Sequence, residues 1–473
     1  MSRDPVPDLL KLATEQLEAE FAALPEYGSK FQAESGGDPG AMKQVLGETA
    51  RRLADNYPYF HPLYAGQMLK PPHPIARAAY ALAMTLNPNN HARDGGRAST
   101  EMELEAVREI AQMLGCAGYL GHLTSGGTIG NMEALWVAGQ VAPGKRIVGS
   151  DQAHYNHRRI SELLKLEYAE IESDGAGRMN LDALEDELRK GDVGTVVATL
   201  GTTAIGAVDP LHEILKLKER YGFRVHVDAA YGGYFVLIAE ALEEPARRAY
   251  AAIGQADSIV IDPHKHGFQP YGCGCVLLRD PAEGRFYKHD SPFTYFTSHE
   301  LHLGEISLEC SRAGAAAVAL WATQRLLPLV PCGGFAQGLA KGRRAAVELD
   351  RRLRADKRFV ALGEYYSRSQ NRDRGRRPEL DIVVWAVRAD TAEESSNRAQ
   401  KVFDACAARG LHLALVQLPG NWFRAASGAK NEAAMVTCLR SVLMKPEHEA
   451  WIGEIWERLS AACGEVVSAD KGR

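Results

Sequence analysis

From about Ser99 to Pro328 the chain alternates short runs rich in Val and Ile with longer segments whose apolar residues recur at helical spacing. VGTVVATLGTT, FRVHVDAAYGG, ADSIVIDPHKHG and GCGCVLLRD are almost continuously apolar over their strand-forming parts. A strand that is apolar on both sides must be covered on both faces. That is the position of a strand in a parallel-type sheet flanked by helices. PLHEILKLKERYG supplies one covering helix, placed as a crossover before FRVHVDAA. Earlier in the region GYLGHLTSG and KRIVGSD read as strands, and STEMELEAVREIAQML, TIGNMEALWVAGQV and NHRRISELLKL as helices. The expected fold class is α/β with a mostly parallel sheet.

The flanks differ from this pattern. Residues 1–90 predict a helical, loop-rich arm, in which PDLLKLATEQLEAEFAALP has helical spacing and Pro5, Pro7 and Pro25 bracket it. Residues 91–330 make the large domain. Residues 331–473 predict a small α+β domain, with strands in ELDIVVWAVRAD, LHLALVQLPG and AAMVTCLRSVLMKP between helices. The net charge of −5 gives no basis for a nucleic acid or an anionic membrane as partner. No stretch approaches the roughly 20 apolar residues of a membrane span, and the first residues lack the apolar core of a signal sequence. The eight cysteines include no CxxC pair. Cys273 and Cys275 fall in an apolar run and read as strand residues rather than zinc ligands, so no metal site is expected. Free thiols without a signal sequence imply a cytoplasmic protein.

Polar, reactive residues cluster where the apolar runs stop. Lys265 and its neighbours His264 and His266 end ADSIVIDPHKHG. A lysine held there could form an imine with an aldehyde cofactor. On the hexapeptide alone, a surface lysine at a loop start fits equally well. Asp228 ends FRVHVD, where a carboxylate suits a cationic ring nitrogen or a turn before Gly232 and Gly233. TSGGTIGN, Thr124–Asn131, is a Gly-rich turn into a helix and a possible anion cradle. It is neither a Walker A loop nor GxGxxG. His154 follows KRIVGSD and can stack on an aromatic ring or serve the local structure. Thr202 and Thr203 end VVATLGTT, where their hydroxyls can meet a ligand or bond their own backbone. In open α/β sheets, ligands collect at the carboxyl ends of the strands, and these signals converge there.

The order of SDQAH, VATLGTT, HVDAAY and DPHK, with LTSGGTIGNM and ASTEMELEAV before them, resembles the group II pyridoxal-5′-phosphate (PLP) dependent amino-acid decarboxylases, the family of aromatic-amino-acid, glutamate and tyrosine decarboxylases. The resemblance runs from about Tyr57 to about Leu459. It implies the aspartate-aminotransferase-like fold type I, PLP as cofactor, and a homodimer with shared active sites. It also implies decarboxylation of an L-amino acid through an aldimine at Lys265 and a quinonoid intermediate. By the same resemblance Asp228 pairs with the pyridine nitrogen, His154 stacks on the ring and Ala230 packs its other face. Gly126, Gly127 and Thr128 hold the phosphate with His264 beside them, and Thr203 faces the ring substituents or the substrate carboxylate. Tyr295, in HDSPFTYFTSHE, matches the family's catalytic loop tyrosine and would return a proton to carbon. Tyr64, His91 and Arg312 are the substrate-side candidates.

Two segments depart from the family pattern: LNPNNHARDGGR, carrying His91, Arg93 and Arg97, and HPLYAG, in which Tyr64 takes the aromatic place. Both bear on side-chain specificity. Aromatic substrates come first by family frequency, and acidic ones second because of the basic His91–Arg97 stretch. A carbon–carbon lyase or a decarboxylating aldehyde synthase would use the same frame. A non-catalytic binding module would not require Lys265, Asp228 and His154 together.

Overall fold

The computed structural model describes residues 4–24, 37–288, 302–363, 378–423 and 435–471. Its larger sheet has seven strands: β1 (Leu120–Thr124), β2 (Arg146–Ser150), β3 (Tyr168–Ile171), β4 (Val193–Thr199), β5 (Arg224–Asp228), β6 (Ser258–Ile261) and β7 (Gly274–Leu278). They lie in the order β1-β7-β6-β5-β4-β2-β3. Neighbours from β6 to β3 pair in parallel. β6 and β7 are buried along their whole length, as two-sided apolar runs require.

β7 is the exception, antiparallel to both β1 and β6. Its composition matches that of its parallel neighbours, so the apolar pattern could not reveal the reversal. The cause lies in the connection. The link from Ile261 to Gly274 contains turns and no helix, and a parallel return needs a crossover. β3 escapes the apolar pattern altogether. It is the sheet's edge, its middle residues are partly exposed, and its sequence YAEI is half polar.

The smaller sheet is fully antiparallel, with strands β8 (Phe359–Ala361), β9 (Ile382–Val387), β10 (Ala414–Pro419) and β11 (Met435–Val442) in the order β10-β11-β9-β8. Helices Gly334–Ala355, Ala392–Ala408 and His448–Lys471 supply apolar residues to its second core around Trp385, Leu349 and Ile455. The three-residue β8 is too short to read from periodicity.

At the N-terminal end, helices Val6–Ala22 and Pro39–Leu53 bury no residue. The next helix, Pro74–Met84, buries Ala76, Ala78 and Ala83 and packs against helix Gly314–Leu326. No helix among the described residues is long and apolar enough to cross a membrane.

Candidate active site

β1, β2, β4, β5 and β6 point the same way, so the residues that follow them meet at one edge of the sheet. They line a cleft of about 350 Å³. Ser125–Ile129 enter from β1, His154 and Asn156 from β2, and Thr199, Gly201 and Thr203 from β4. Asp228, Ala230 and Tyr231 come from β5, and Asp262, His264 and Lys265 from β6. The cleft thus gathers Gly126, Gly127, Thr128, His154, Thr203, Asp228, Ala230, His264 and Lys265, all candidates from the sequence.

Asp228 is 5% exposed. Burial alone would raise its pKa, but the His157 hydrogen bond and charge, aided by Lys265 and His226, hold the carboxyl well below the usual range. His157 Nε2 stands 2.8 Å from Asp228 Oδ2, and Asn131 Nδ2 donates to the same oxygen at 3.2 Å. The Ala230 N–H donates to Oδ1 at 3.1 Å. Behind Asn131, His226 Nε2 lies 3.0 Å from the amide oxygen, while His226 Nδ1 lies 2.9 Å from Ser258 Oγ. Burial pushes His226 down to about 3, so it is neutral. The tautomer that satisfies both contacts has Ser258 donating to His226 and His226 donating to Asn131. Every dipole of this chain is oriented toward a negative Asp228.

The anion cradle is built from backbone. Helix Gly127–Val141 begins at the turn; the Gly127 and Thr128 N–H groups have no partner within it, while the Ile129 N–H donates to the Gly126 carbonyl at 3.0 Å. Gly126, at φ +154°, is in a conformation that L side chains rarely adopt, and a Cβ there would come within 3.3 Å of His264. A Cβ on Gly127 would stand 2.7 Å from Asp262 Oδ2. Lys265 Nζ lies 3.1 Å from that same oxygen, and His264 Nε2 lies 3.5 Å from it. Burial lowers the pKa of both His154 and His264, which favours neutral rings. Asp262 Oδ1 and His264 Nδ1 are buried and have no partner among the described residues.

Three substrate-side candidates lie elsewhere. The Arg312 guanidinium turns inward to the Glu103 carboxylate, with side chains only 7% and 2% exposed. Glu103 also accepts from Asn90 Nδ2 at 2.7 Å and from the Leu123 N–H at 2.9 Å. Tyr64 is buried beside Tyr59 and His412, and its carbonyl accepts from Lys445. His91 packs by Gly304, whose N–H donates to the His91 carbonyl at 2.9 Å. None of the three lines the cleft of its own chain. Arg93, from the same basic stretch, pairs with Glu101. Tyr295 lies outside the described residues.

Sequence reading missed His157, Asn131, His226 and Asp262 as site residues. The nearest signal for His157 was its position three residues after His154, which places both on one side of a helix start. Asn131 and His226 carry no local mark, because only packing brings them to Asp228. No group of three or more metal-ligating side chains occurs among the described residues, and Cys273 and Cys275 are buried, Cys275 within β7.

Residues 25–365 match the family model described as the pyridoxal-dependent decarboxylase conserved domain. The chain is 29% identical over 389 residues to an L-tyrosine decarboxylase of Enterococcus faecium, covering 61% of this chain and 64% of that protein. It is 36% identical over 231 residues to an L-2,4-diaminobutyrate decarboxylase of Rhizobium meliloti, covering 44% and 45%. It is 28% identical over 284 residues to an L-aspartate decarboxylase of Thermococcus kodakarensis, covering 59% and 72%. The matches span a little under two thirds of the length of the tyrosine decarboxylase relatives, 64% and 62%. Among solved structures, mouse CSAD in apo form aligns with a TM-score of 0.74 at 20% identity, covering 97% of this chain and 99% of that one. Oryza sativa TDC with PLP and tryptamine aligns at 0.75 and 17%, covering 98% and 99%. At such identities the likeness shows the fold, which is the fold type I arrangement.

Proposed function

The chain belongs to the pyridoxal-dependent decarboxylase family, and from that premise we propose that it decarboxylates an L-amino acid with PLP at the cleft around Lys265. The observation that carries the reading is Asp228, an acid kept ionised inside the protein by His157 and Asn131, at the same cleft as a lysine amine. A buried carboxylate costs free energy unless a cation is to meet it, and a pyridinium is such a cation.

The cleft fits the cofactor. The Gly126–Gly127 turn leaves a space that any Cβ would fill, bounded by first-turn N–H groups and His264, which suits a phosphate. Asp262 Oδ1 and His264 Nδ1 are buried polar atoms facing the same region. Gly126, Gly127, Thr128 and His264 would hold the phosphate, His154 and Ala230 the ring faces, and Asp228 the ring nitrogen. When bound, PLP supplies an electron-poor ring that accepts the pair left by departing CO₂.

The protein's own part is positioning and proton control. Asp228, kept ionised by His157, would hold a proton at the ring nitrogen of the bound cofactor. Lys265 would offer its amine to the cofactor's aldehyde, and Asp262 Oδ2 holds that amine at 3.1 Å. Thr203, which lines the cleft, is anchored through its carbonyl by Arg440 Nη2 at 2.8 Å. Tyr295 is proposed to return the proton to carbon.

A homodimer and a cytoplasmic location belong to the same proposal. Support for the dimer comes from Met42, Val45, Leu46 and Leu53, which expose an apolar stripe on helix Pro39–Leu53. Support for the location comes from the eight cysteines, all free. Tyrosine, aspartate and 2,4-diaminobutyrate are the first substrates to test, since the relatives are named for them.

The test is a screen of twenty L-amino acids with purified protein and PLP, following CO₂ together with amine, aldehyde and ammonia. One amino acid should give CO₂ and amine in equal amounts, and Lys265→Ala should abolish both. Normal turnover by Lys265→Ala would sink the reading. Aldehyde and ammonia in place of amine would move it to an aldehyde synthase.

A further inference from the structure

Behind the turn that carries Lys265 lies a second cavity, of about 340 Å³. Its wall includes Lys70, His73, Gln337, Lys341, Lys445 and Glu447. Two features make it electropositive.

The first is the start of helix Gly334–Ala355. Gly334, Gln337, Gly338 and Lys341 recur at helical spacing and face the cavity. The N-cap is Gly333, which offers no side chain, and the first turn holds no acidic residue. The first-turn N–H groups and the positive end of a 22-residue helix are therefore left for something else to meet.

The second feature is the pair of enclosed ammonium groups. Lys445 is 2% exposed, and its Nζ donates to the Tyr64 carbonyl at 2.6 Å. Lys70 Nζ donates to the His266 carbonyl at 2.9 Å and lies 3.6 Å over the Phe268 ring. Neither has an ion-pair partner among the described residues. Glu447 is the one carboxylate of the wall, set against Lys70, Lys341 and Lys445. Burial pushes Lys70 down to about 7 and Lys445 to about 8, outweighing the nearby carboxylates, Asp381 and Glu447 for Lys70 and Glu447 for Lys445.

We propose that this cavity binds a small oxyanion of two or more negative charges, a phosphate or a dicarboxylate. Helix N–H groups, a rim lysine and two enclosed lysines are the donors that such an anion requires. The site is separate from the cofactor cradle but mechanically joined to the cleft: Lys70 holds the carbonyl of His266, the residue after Lys265.

The experiment is calorimetric titration of the PLP-loaded protein at pH 6.5 with inorganic phosphate and, separately, with succinate. Filling the cradle with PLP keeps phosphate from reporting on the wrong site. At least one anion should bind saturably, one per chain. Lys341→Met, at the exposed rim, should weaken it at least fivefold, as should Lys70→Met. Lys216→Met, on another surface, should leave it unchanged. Binding of phosphate alone assigns the site to phosphorylated ligands, and of succinate alone to carboxylates. No saturable binding of either anion, or a loss of less than fivefold in Lys341→Met, overturns the proposal. The rim variant probes the site even if Lys70→Met does not fold.

Discussion

His157 Nε2 and Asp228 Oδ2 stand 2.8 Å apart in the floor of the cleft, with side chains 0% and 6% exposed. At that depth the bond decides the charge of the carboxylate. Replacing His157 with Ala removes the largest of the forces that oppose burial, so the Asp228 pKa must rise. The acid side of the pH–rate profile should then move to higher pH. At its optimum the variant should lose about 1.5–3 kcal/mol of stabilisation, the usual worth of a hydrogen bond to a charged group. That corresponds to roughly a ten- to hundredfold drop in kcat/KM. An unshifted acid limb would show that His157 does not set the charge of Asp228.

Gly127→Ala tests the cradle. The added methyl would meet Asp262 Oδ2 at 2.7 Å and push the carboxylate from Lys265. Overpacking of this kind costs about 1–3 kcal/mol, expected here as weaker PLP affinity. Gly47→Ala, where the methyl meets open space, is the control. Equal PLP dissociation constants in the two variants would contradict the assignment.

Arg312 separates a substrate contact from a structural one. Its ion pair with Glu103 is enclosed, so Arg312→Met should strand a buried carboxylate and cost about 3–5 kcal/mol of stability. Urea unfolding of the two proteins measures it. A variant of normal stability that has only a raised KM would restore Arg312 to substrate binding.

Asp209 gives a pH-dependent prediction. It is fully buried and accepts the N–H groups of Met179 at 2.7 Å and Thr199 at 2.8 Å. Burial outweighs those two bonds and pushes it up to about 7, from 3.8 unfolded. An acid raised on folding stabilises fully below its unfolded pKa, and that contribution is lost as pH climbs through the folded one. The stability of the wild type relative to Asp209→Asn should therefore fall between pH 4 and pH 7, by more than about 1.4 kcal/mol. A difference that stays flat across this range would show that Asp209 titrates normally.

The sequence by itself determined where the buried strands of the large sheet lie and which residues end them, though not the edge strand β3 or the three-residue β8. Apolar runs with period-free burial are local facts, and Lys265, Asp228, His154 and the Gly126–Gly127 turn each follow such a run. The shared direction of β1, β2, β4, β5 and β6 then carried them to one edge of the sheet. What tertiary structure decided is everything that depends on a partner distant in sequence. The reversal of β7 came from its connection rather than its composition. Asn131 and His226 became supports of Asp228 only when their helix and strand packed beside it. Arg312, a substrate-side candidate in the sequence, pairs with Glu103, a partner 209 residues away that no local pattern announces. Hydrophobic periodicity is written along the chain, whereas the pairing of buried polar groups depends on distances that exist only after the core has formed.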